Sequence, residues 1–169
     1  LHSGDPSVYG AIAEQMNILD KKRIPYEVIP GVTSAFAAAA ALKKEFTVPG
    51  FSQTLIITRR AGKTAVPERE SLQGLAAHRA SMAIFLSTAM IEETVQELVE
   101  GGYPHTTPVA VVFRASWPEE TVIRGTLACI AAKVKTAHIK RQAVILVGDA
   151  IGDARGERSR LYHGEFAHG

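Results

Sequence analysis

The chain has 169 residues, of which 46% are hydrophobic and 21% are charged, and its formal charge is +2 at pH 7. These values indicate a globular chain, not a disordered one, of one large domain or parts of two. No block of like charges is present, so binding of a polyanion is not expected. The single cysteine, Cys129, excludes an internal disulfide and a zinc cluster, and we interpret it as a small buried hydrophobe. The longest apolar run, 35–42, is too short to cross a bilayer, and no charged leader precedes a cleavage site. We therefore expect a cytoplasmic protein that binds neither nucleic acid nor membrane.

The opening stretch, 3–10, combines residues that favour a sharp turn followed by a helix. Gly4 permits a positive φ, Asp5 is a favoured helix cap, and Pro6 suits the first helical position. The pattern predicts a helix from Pro6, with Val8, Ile12, Met16 and Leu19 on its core-facing side. The free N–H groups of such a helix would suit a carboxylate, a ribose or a phosphate, although a capped helix without a ligand explains the same residues.

The remaining patterns predict an alternation of strands and helices. In chain order these are a strand at 26–29, an alanine-rich helix from Thr33 or Ser34 to Leu42, a strand at 54–60, a helix at 71–78, a strand at 82–86, a helix at 91–99, antiparallel strands at 109–113 and 120–124, a helix at 127–134 and a strand at 143–147. We expect an α/β fold in which residues 1–30 end a first α/β domain, residues 31–152 form a complete second α/β domain with a mixed sheet, and residues 153–169 form a polar tail. Ligands in such folds tend to lie at strand ends near the domain cleft.

Four separate motifs in this chain resemble those of the tetrapyrrole methylases. They are LHSGDPSVYGAIAEQM at 1–16, PGVTS at 30–34, SQTLIITR at 52–59 and VVFRASWPEE at 111–120. Within that family they are most similar to the members that methylate carbon 11 of precorrin-4 in cobalamin synthesis. The resemblance covers residues 1 to about 152, but the family's glycine-rich loop on its first strand has no counterpart. We therefore expect the chain to be the C-terminal two-thirds of the enzyme, with little activity by itself.

The resemblance implies transfer of a methyl group from S-adenosylmethionine to carbon 11 of precorrin-4 or cobalt-precorrin-4, leaving S-adenosylhomocysteine. It places the cofactor in a cleft between domains, held largely by main-chain groups. The cofactor-binding positions that it implies are Gly4, Asp5, Pro6, Thr33, Ser34, Leu86, Ala115 and Ala143, of which the last three are equally explained by strand-end packing. Asp5 and Tyr9 are the candidate catalytic residues, because both lie in the loop beside the cofactor.

A substrate with many acetate and propionate groups calls for fixed cations. Arg59, Arg60, Lys63 and Arg114 lie at or just after strand ends and are the candidate substrate-binding residues, although each taken singly is equally typical of a solvated loop charge. His2, His78 and His138 lack metal-ligand spacing, so we expect no metal site. The resemblance and the small side chains of 33–42 predict a homodimer.

Two other functions remain open on the sequence. One is a different methylase of the superfamily, such as uroporphyrinogen-III methyltransferase or diphthine synthase. The other is a non-enzymatic α/β module that uses 4–9 as an anion site. A strand ending in a glycine-rich loop upstream would support the methylase.

Overall fold

The computed structural model describes residues 2–153, so most of the predicted polar tail lies outside the described residues. The described helices are α1 (Ile12–Lys21), α2 (Ser34–Leu42), α3 (Leu72–Ala76), α4 (Ile91–Glu100) and α5 (Ile130–Thr136), and the strands are β1 (Leu55–Arg59), β2 (Ser81–Phe85), β3 (Pro108–Phe113), β4 (Thr121–Thr126) and β5 (Ala143–Val147). Each strand that the sequence predicts after residue 50 is present within two residues of its predicted bounds.

The strands form one mixed sheet in the order β1-β2-β5-β3-β4. β1 and β2 are parallel, whereas β5 runs antiparallel to both β2 and β3, and β3 pairs with β4 as an antiparallel hairpin. The ends of β1, β2 and β3 and the start of β5 therefore meet at one edge of the sheet. This edge is where a ligand site is expected in such a sheet.

The central strands are apolar at consecutive positions because helices cover both faces of the sheet. Along β5, Ile145 and Val147 pack on the face covered by α3, α4 and α5, whereas Val144 and Leu146 pack on the face covered by α2. Because both faces of the sheet are buried, the strand ends at this edge are held in fixed positions.

Small side chains let α2 lie close to the sheet. Ala35 and Ala38 are fully buried, and they pack in one cluster with Ala83 and Ala110 of β2 and β3. The buried alanines of this stretch thus serve contacts within the chain, and the homodimer expected from its composition stays a prediction. Phe36, on the other side of α2, is 51% exposed.

The predicted start of the first helix is wrong. No helix begins at Pro6, because Tyr9 and Ala11 adopt φ of 55° and 51°, which an α-helix does not tolerate, so α1 begins only at Ile12. The helix N-terminus suggested as an anion site at 4–9 is therefore absent. The predicted core-facing side of α1, with Ile12, Met16 and Leu19, is half-buried, whereas its other residues are exposed.

The predicted strand at 26–29 does not form, and these residues are not paired with any strand of the described residues. Their side chains stay exposed, and Ile29 reaches 73%. β-branched and aromatic residues favour a strand, but a strand also requires a neighbour for its N–H and C=O groups. The division into domains at residue 30 stays a prediction.

Three further findings concern residues 2–153 only. None of their helices has both the length and the apolar character needed to cross a membrane. No group of three or more His, Cys, Asp or Glu side chains lies close enough to hold a metal ion. Cys129 is half-buried and not a core residue, and its thiol lies 3.3 Å from the Thr126 N–H, which lowers its pKa.

Candidate active site

A cleft of about 700 Å³ opens at the sheet edge where β2 and β3 end and β5 begins. One wall is formed by the 2–10 loop and by the start of α2, and the other by the residues that follow β2 and β3 and precede β5. The cleft is large enough for a nucleoside-sized ligand. The cleft is therefore the candidate active site.

Asp5 fastens the 4–10 loop to the segment before α2. One carboxylate oxygen accepts a hydrogen bond from the Ser7 N–H at 2.8 Å, and the other accepts one from the Gly31 N–H at 2.9 Å. These N–H groups, Gly31 first, lower the pKa of the carboxyl below its ordinary 3.8. Since both carboxylate oxygens accept hydrogen bonds from backbone N–H groups, the Asp5 side chain holds the two segments of this wall together.

Glycines allow the two backbone segments of this wall to touch. A Cβ added to Gly31 would lie 2.1 Å from the Gly4 carbonyl oxygen, so no side chain fits between them. Gly4 itself has φ of 71° and lies beside the backbone of 32–34. The wall is consequently almost pure main chain at this point, which leaves N–H and C=O groups for a ligand.

Leu86 projects from the end of β2 and is 70% exposed, with φ of 55°. Ser87, which is fully buried, holds this turn: its hydroxyl donates to the Phe85 carbonyl at 2.7 Å and accepts from the Arg60 N–H at 2.9 Å. A large apolar side chain in a left-handed conformation is unfavourable unless its surroundings impose it. The fold therefore places Leu86 at the cleft at a conformational cost.

Arg114 lies at the end of β3, held on several sides. Its Nε donates to the Gln142 side-chain oxygen at 3.0 Å, its N–H donates to the Gln142 carbonyl at 2.9 Å, and its guanidinium lies 3.6 Å from the Glu119 carboxylate. The guanidinium also lies over the rings of Phe113 and Trp117, with 5.1 and 5.4 Å to the ring centres. These contacts join the ends of β3 and the entry to β5 into one rigid corner.

Backbone strain is concentrated at the cleft. Of the ten non-glycine residues with positive φ in the described part of the chain, five line it: Tyr9, Leu86, Arg114, Ser116 and Gln142. Such conformations persist where the surrounding structure imposes them, and they cluster at functional sites. The strain is an independent indication that this cleft is the functional site.

Tyr9 lines the cleft next to the end of β2. Its ring centre lies 5.4 Å from that of Phe85, and burial raises the pKa of the phenol above 10, an effect that the Arg59 charge opposes. The phenol is therefore protonated at neutral pH and can donate a hydrogen bond. It is not suited to remove a proton.

Seven of the eight predicted cofactor residues line this one cleft: Gly4, Asp5, Thr33, Ser34, Leu86, Ala115 and Ala143. Pro6 does not line it, although it belongs to the same loop. The structure thus brings together positions that are up to 139 residues apart in the sequence. Their roles, and the catalytic roles of Asp5 and Tyr9, stay predictions.

The four predicted substrate cations are not brought together. Arg114 lines the cleft, whereas Arg59, Arg60 and Lys63 do not. The Arg59 guanidinium donates to the Thr64 and Ala65 carbonyls and so holds its own loop. Arg60 Nε lies 2.8 Å from the carboxylate of Glu97 in α4. For these two arginines the structure shows intramolecular partners, and the role of Arg59, Arg60, Lys63 and Arg114 in binding substrate stays a prediction.

Sequence reasoning missed several cleft residues: His2, Phe85, Trp117, Lys140, Arg141 and Gln142. Residues 140–142 come just before β5. Because β5 runs antiparallel to β2, the start of β5 lies at the same edge of the sheet as the end of β2, which is the edge with the cleft. Knowledge of this strand direction would have identified these residues as part of the site.

Known proteins are similar to this chain over nearly its whole length. A cobalt-precorrin-4 C(11)-methyltransferase of Methanocaldococcus jannaschii is 54% identical over 99% of the chain and 65% of its own length. A precorrin-4 C(11)-methyltransferase of Mycobacterium tuberculosis is 50% identical over 99% of the chain and 68% of its own length. The chain therefore spans about two thirds of the length of the curated relatives it matches.

Solved structures share the fold. A cobalt precorrin-4 methyltransferase superposes with a TM-score of 0.87 at 44% identity, covering 89% of this chain and 63% of the other. A uroporphyrin-III C-methyl transferase from Thermus thermophilus, solved with S-adenosylhomocysteine, has a TM-score of 0.72 at 24% identity, covering 88% and 64%, which shows a shared fold only. The tetrapyrrole methylase fold expected from the motifs is thus confirmed. Residues 1–131 match the family model for tetrapyrrole (corrin/porphyrin) methylases, and the chain belongs to this family.

Proposed function

We propose that this protein, which spans about two thirds of the length of the relatives it matches, acts in its complete form by transferring a methyl group from S-adenosylmethionine to carbon 11 of precorrin-4 or cobalt-precorrin-4 in cobalamin synthesis. The observation that carries the proposal is the identity of 54% and 50%, over 99% of the chain, to two proteins named for this reaction. The cleft supports it, because the residues that the resemblance assigns to the cofactor converge there.

The residues of the cleft fit a folded nucleoside-containing donor. Gly4, Ala115 and Ala143 present little side chain, so a ligand can approach the backbone. Thr33 and Ser34 add hydroxyl groups beside them. The donor, when bound, supplies an electrophilic methyl group on a positively charged sulfur. The protein has to hold that methyl in line with an electron-rich carbon, and positioning of this kind can supply much of the rate.

In this proposal Asp5 is a positioning residue. Its carboxylate ties 4–10 to Gly31, and this contact keeps the backbone groups of both segments directed at the donor. Tyr9, protonated at neutral pH, can donate a hydrogen bond to the donor or to the tetrapyrrole rim. No strong base is required, because the carbon that is methylated belongs to an electron-rich pyrrolic system.

We further propose that the complete protein is a cytoplasmic homodimer. The family resemblance supports this state. Ile29, Val32 and Phe36 are each more than half exposed, and association would remove such apolar surface from water. Sedimentation as a monomer at micromolar concentration would contradict the dimer.

The direct test uses a longer form of the protein that carries the family's glycine-rich loop. It is incubated with precorrin-4 and S-adenosylmethionine labelled with ¹³C in the methyl group, and the product is examined by NMR. We expect the label at carbon 11. A label at another carbon would indicate a different methylase of the family, and no transfer to either precorrin-4 or its cobalt complex would refute the proposal.

A further inference from the structure

The charges that line the cleft are mostly positive. Arg114, Lys140 and Arg141 are cationic, and Asp5 is the one acidic residue lining it within the described part of the chain. The Asp5 carboxylate is already satisfied by two backbone N–H groups. Positive charge at the cleft is thus available for the anionic groups of a ligand.

Lys140 and Arg141 supply the part of this charge that is not compensated. Arg114 has a carboxylate partner in Glu119 and an amide partner in Gln142. By contrast, the side chains of Lys140 and Arg141 make no hydrogen bond or ion pair with any residue from 2 to 153, and both are exposed. Two adjacent cations that line a cleft and have no partner among residues 2–153 can bind the anionic groups of a ligand.

The backbone beneath these two residues is fixed on both sides. Ile139 is buried in the core, and Gln142 is held by Arg114 through both its carbonyl and its side chain. His138 and Gln142 adopt φ of 54° and 57°, so the loop makes two sharp bends around the pair. The two cations therefore extend from a defined position and not from a loose loop.

We propose that Lys140 and Arg141 form a carboxylate-binding subsite for the acetate and propionate groups on the rim of the tetrapyrrole. This inference rests on the proposed function for its choice of substrate. Two neighbouring cations suit a ligand that carries several carboxylates better than a donor that carries one.

The single tryptophan of the chain gives a direct readout, because Trp117 lines the same cleft. The 169-residue chain is titrated with uroporphyrin, whose rim carries acetates and propionates, and quenching of Trp117 fluorescence is followed at low and high ionic strength. We expect K140Q/R141Q to raise the Kd about tenfold at low salt and to remove most of its salt dependence, as expected for solvent-exposed ion pairs. Lys22→Gln removes an exposed cation remote from the cleft and serves as the matched control, with an unchanged Kd expected.

Two further ligands separate the possible sources of the carboxylate. S-adenosylhomocysteine carries an amino-acid carboxylate, whereas 5′-methylthioadenosine lacks it. If the double variant weakens S-adenosylhomocysteine but neither methylthioadenosine nor uroporphyrin, the pair binds the donor and the proposal is overturned. It is likewise overturned if the unaltered chain shows no salt-sensitive quenching, or if Lys22→Gln has the same effect as the double variant. The subsite and the proposed function can fail separately. If uroporphyrin binds through Lys140 and Arg141 but the longer form transfers no methyl group, the proposed function is refuted and the subsite is supported.

Discussion

Replacing Gly31 by alanine should separate the two segments that form the main-chain wall of the cleft. The new Cβ would lie 2.1 Å from the Gly4 carbonyl oxygen and 3.0 Å from its carbon, both of which are backbone atoms without a rotamer to change. To reach ordinary contact distance, the 4–10 loop has to move by about 1 Å or more. A shift of that size is large enough to break the 2.9 Å hydrogen bond from the Gly31 N–H to Asp5.

Two magnitudes follow from that displacement. Forcing a methyl group into closely packed backbone typically costs about 1–3 kcal/mol of stability. A misplacement of about 1 Å at a positioning element can cost about a hundredfold in rate. We therefore expect the longer form with Gly31→Ala to remain folded, to bind S-adenosylhomocysteine much more weakly and to lose about two orders of magnitude in methyl transfer.

Calorimetric titration with S-adenosylhomocysteine, thermal unfolding and the methyl-transfer assay are measured for this variant and for Gly62→Ala. Gly62 is a matched control, because it is also an exposed loop glycine but its added Cβ would meet only the flexible Met90 side chain, at 3.2 Å. Its affinity and rate should stay close to those of the unaltered protein. Unchanged affinity and turnover in Gly31→Ala would refute the role of the Gly4–Gly31 contact in shaping the site.

Three further outcomes are expected. Asp5→Asn, which keeps a single acceptor oxygen, should weaken S-adenosylhomocysteine binding without unfolding the protein, and Asp5→Ala should weaken it further and lower the melting temperature; an Asn variant with unaltered affinity would return Asp5 to a purely structural role. Because the folded-state pKa of Asp5 is lowered, the stabilisation from its ionised form should persist from neutral pH down to about pH 4 and be lost as pH falls through the folded-state value, which pH-dependent unfolding of wild type and Asp5→Asn would show. Glu97→Gln should cost about 1 kcal/mol of stability by weakening the partly buried pair with Arg60, and it should leave the Kd for S-adenosylhomocysteine unchanged; a large rise in that Kd would place the pair in the binding site after all.

The sheet was predictable because its determinants are local. Continuous apolar runs such as 143–147 and the turn between 113 and 120 specify strands and a hairpin without knowledge of their partners. The helices that follow them carry their own periodicity and end signals, as at 91–100. The positions of the cofactor candidates were predictable for a different reason, since they came from motifs and not from periodicity.

The errors arise where the outcome depends on distant contacts. The helix predicted from Pro6 is interrupted by positive φ at Tyr9, which no local pattern signals, and Asp5 is bonded instead to Gly31, 26 residues away in the sequence. The ion pair of Arg60 with Glu97, 37 residues away, is likewise not visible in the sequence, and the predicted role of Arg60 in binding substrate stays untested. Lys140 was overlooked because the strand that follows it was assigned no direction.

The claim that the cleft at this sheet edge holds the methyl donor is tested most directly by hydrogen–deuterium exchange of the longer form with and without S-adenosylhomocysteine. Within the residues described here, we expect protection to be confined to the segments that line the cleft, at 4–10, 31–37, 86–88, 114–117 and 142–144. Protection of other segments, with these five unchanged on saturation with the ligand, would contradict the assignment of the cleft.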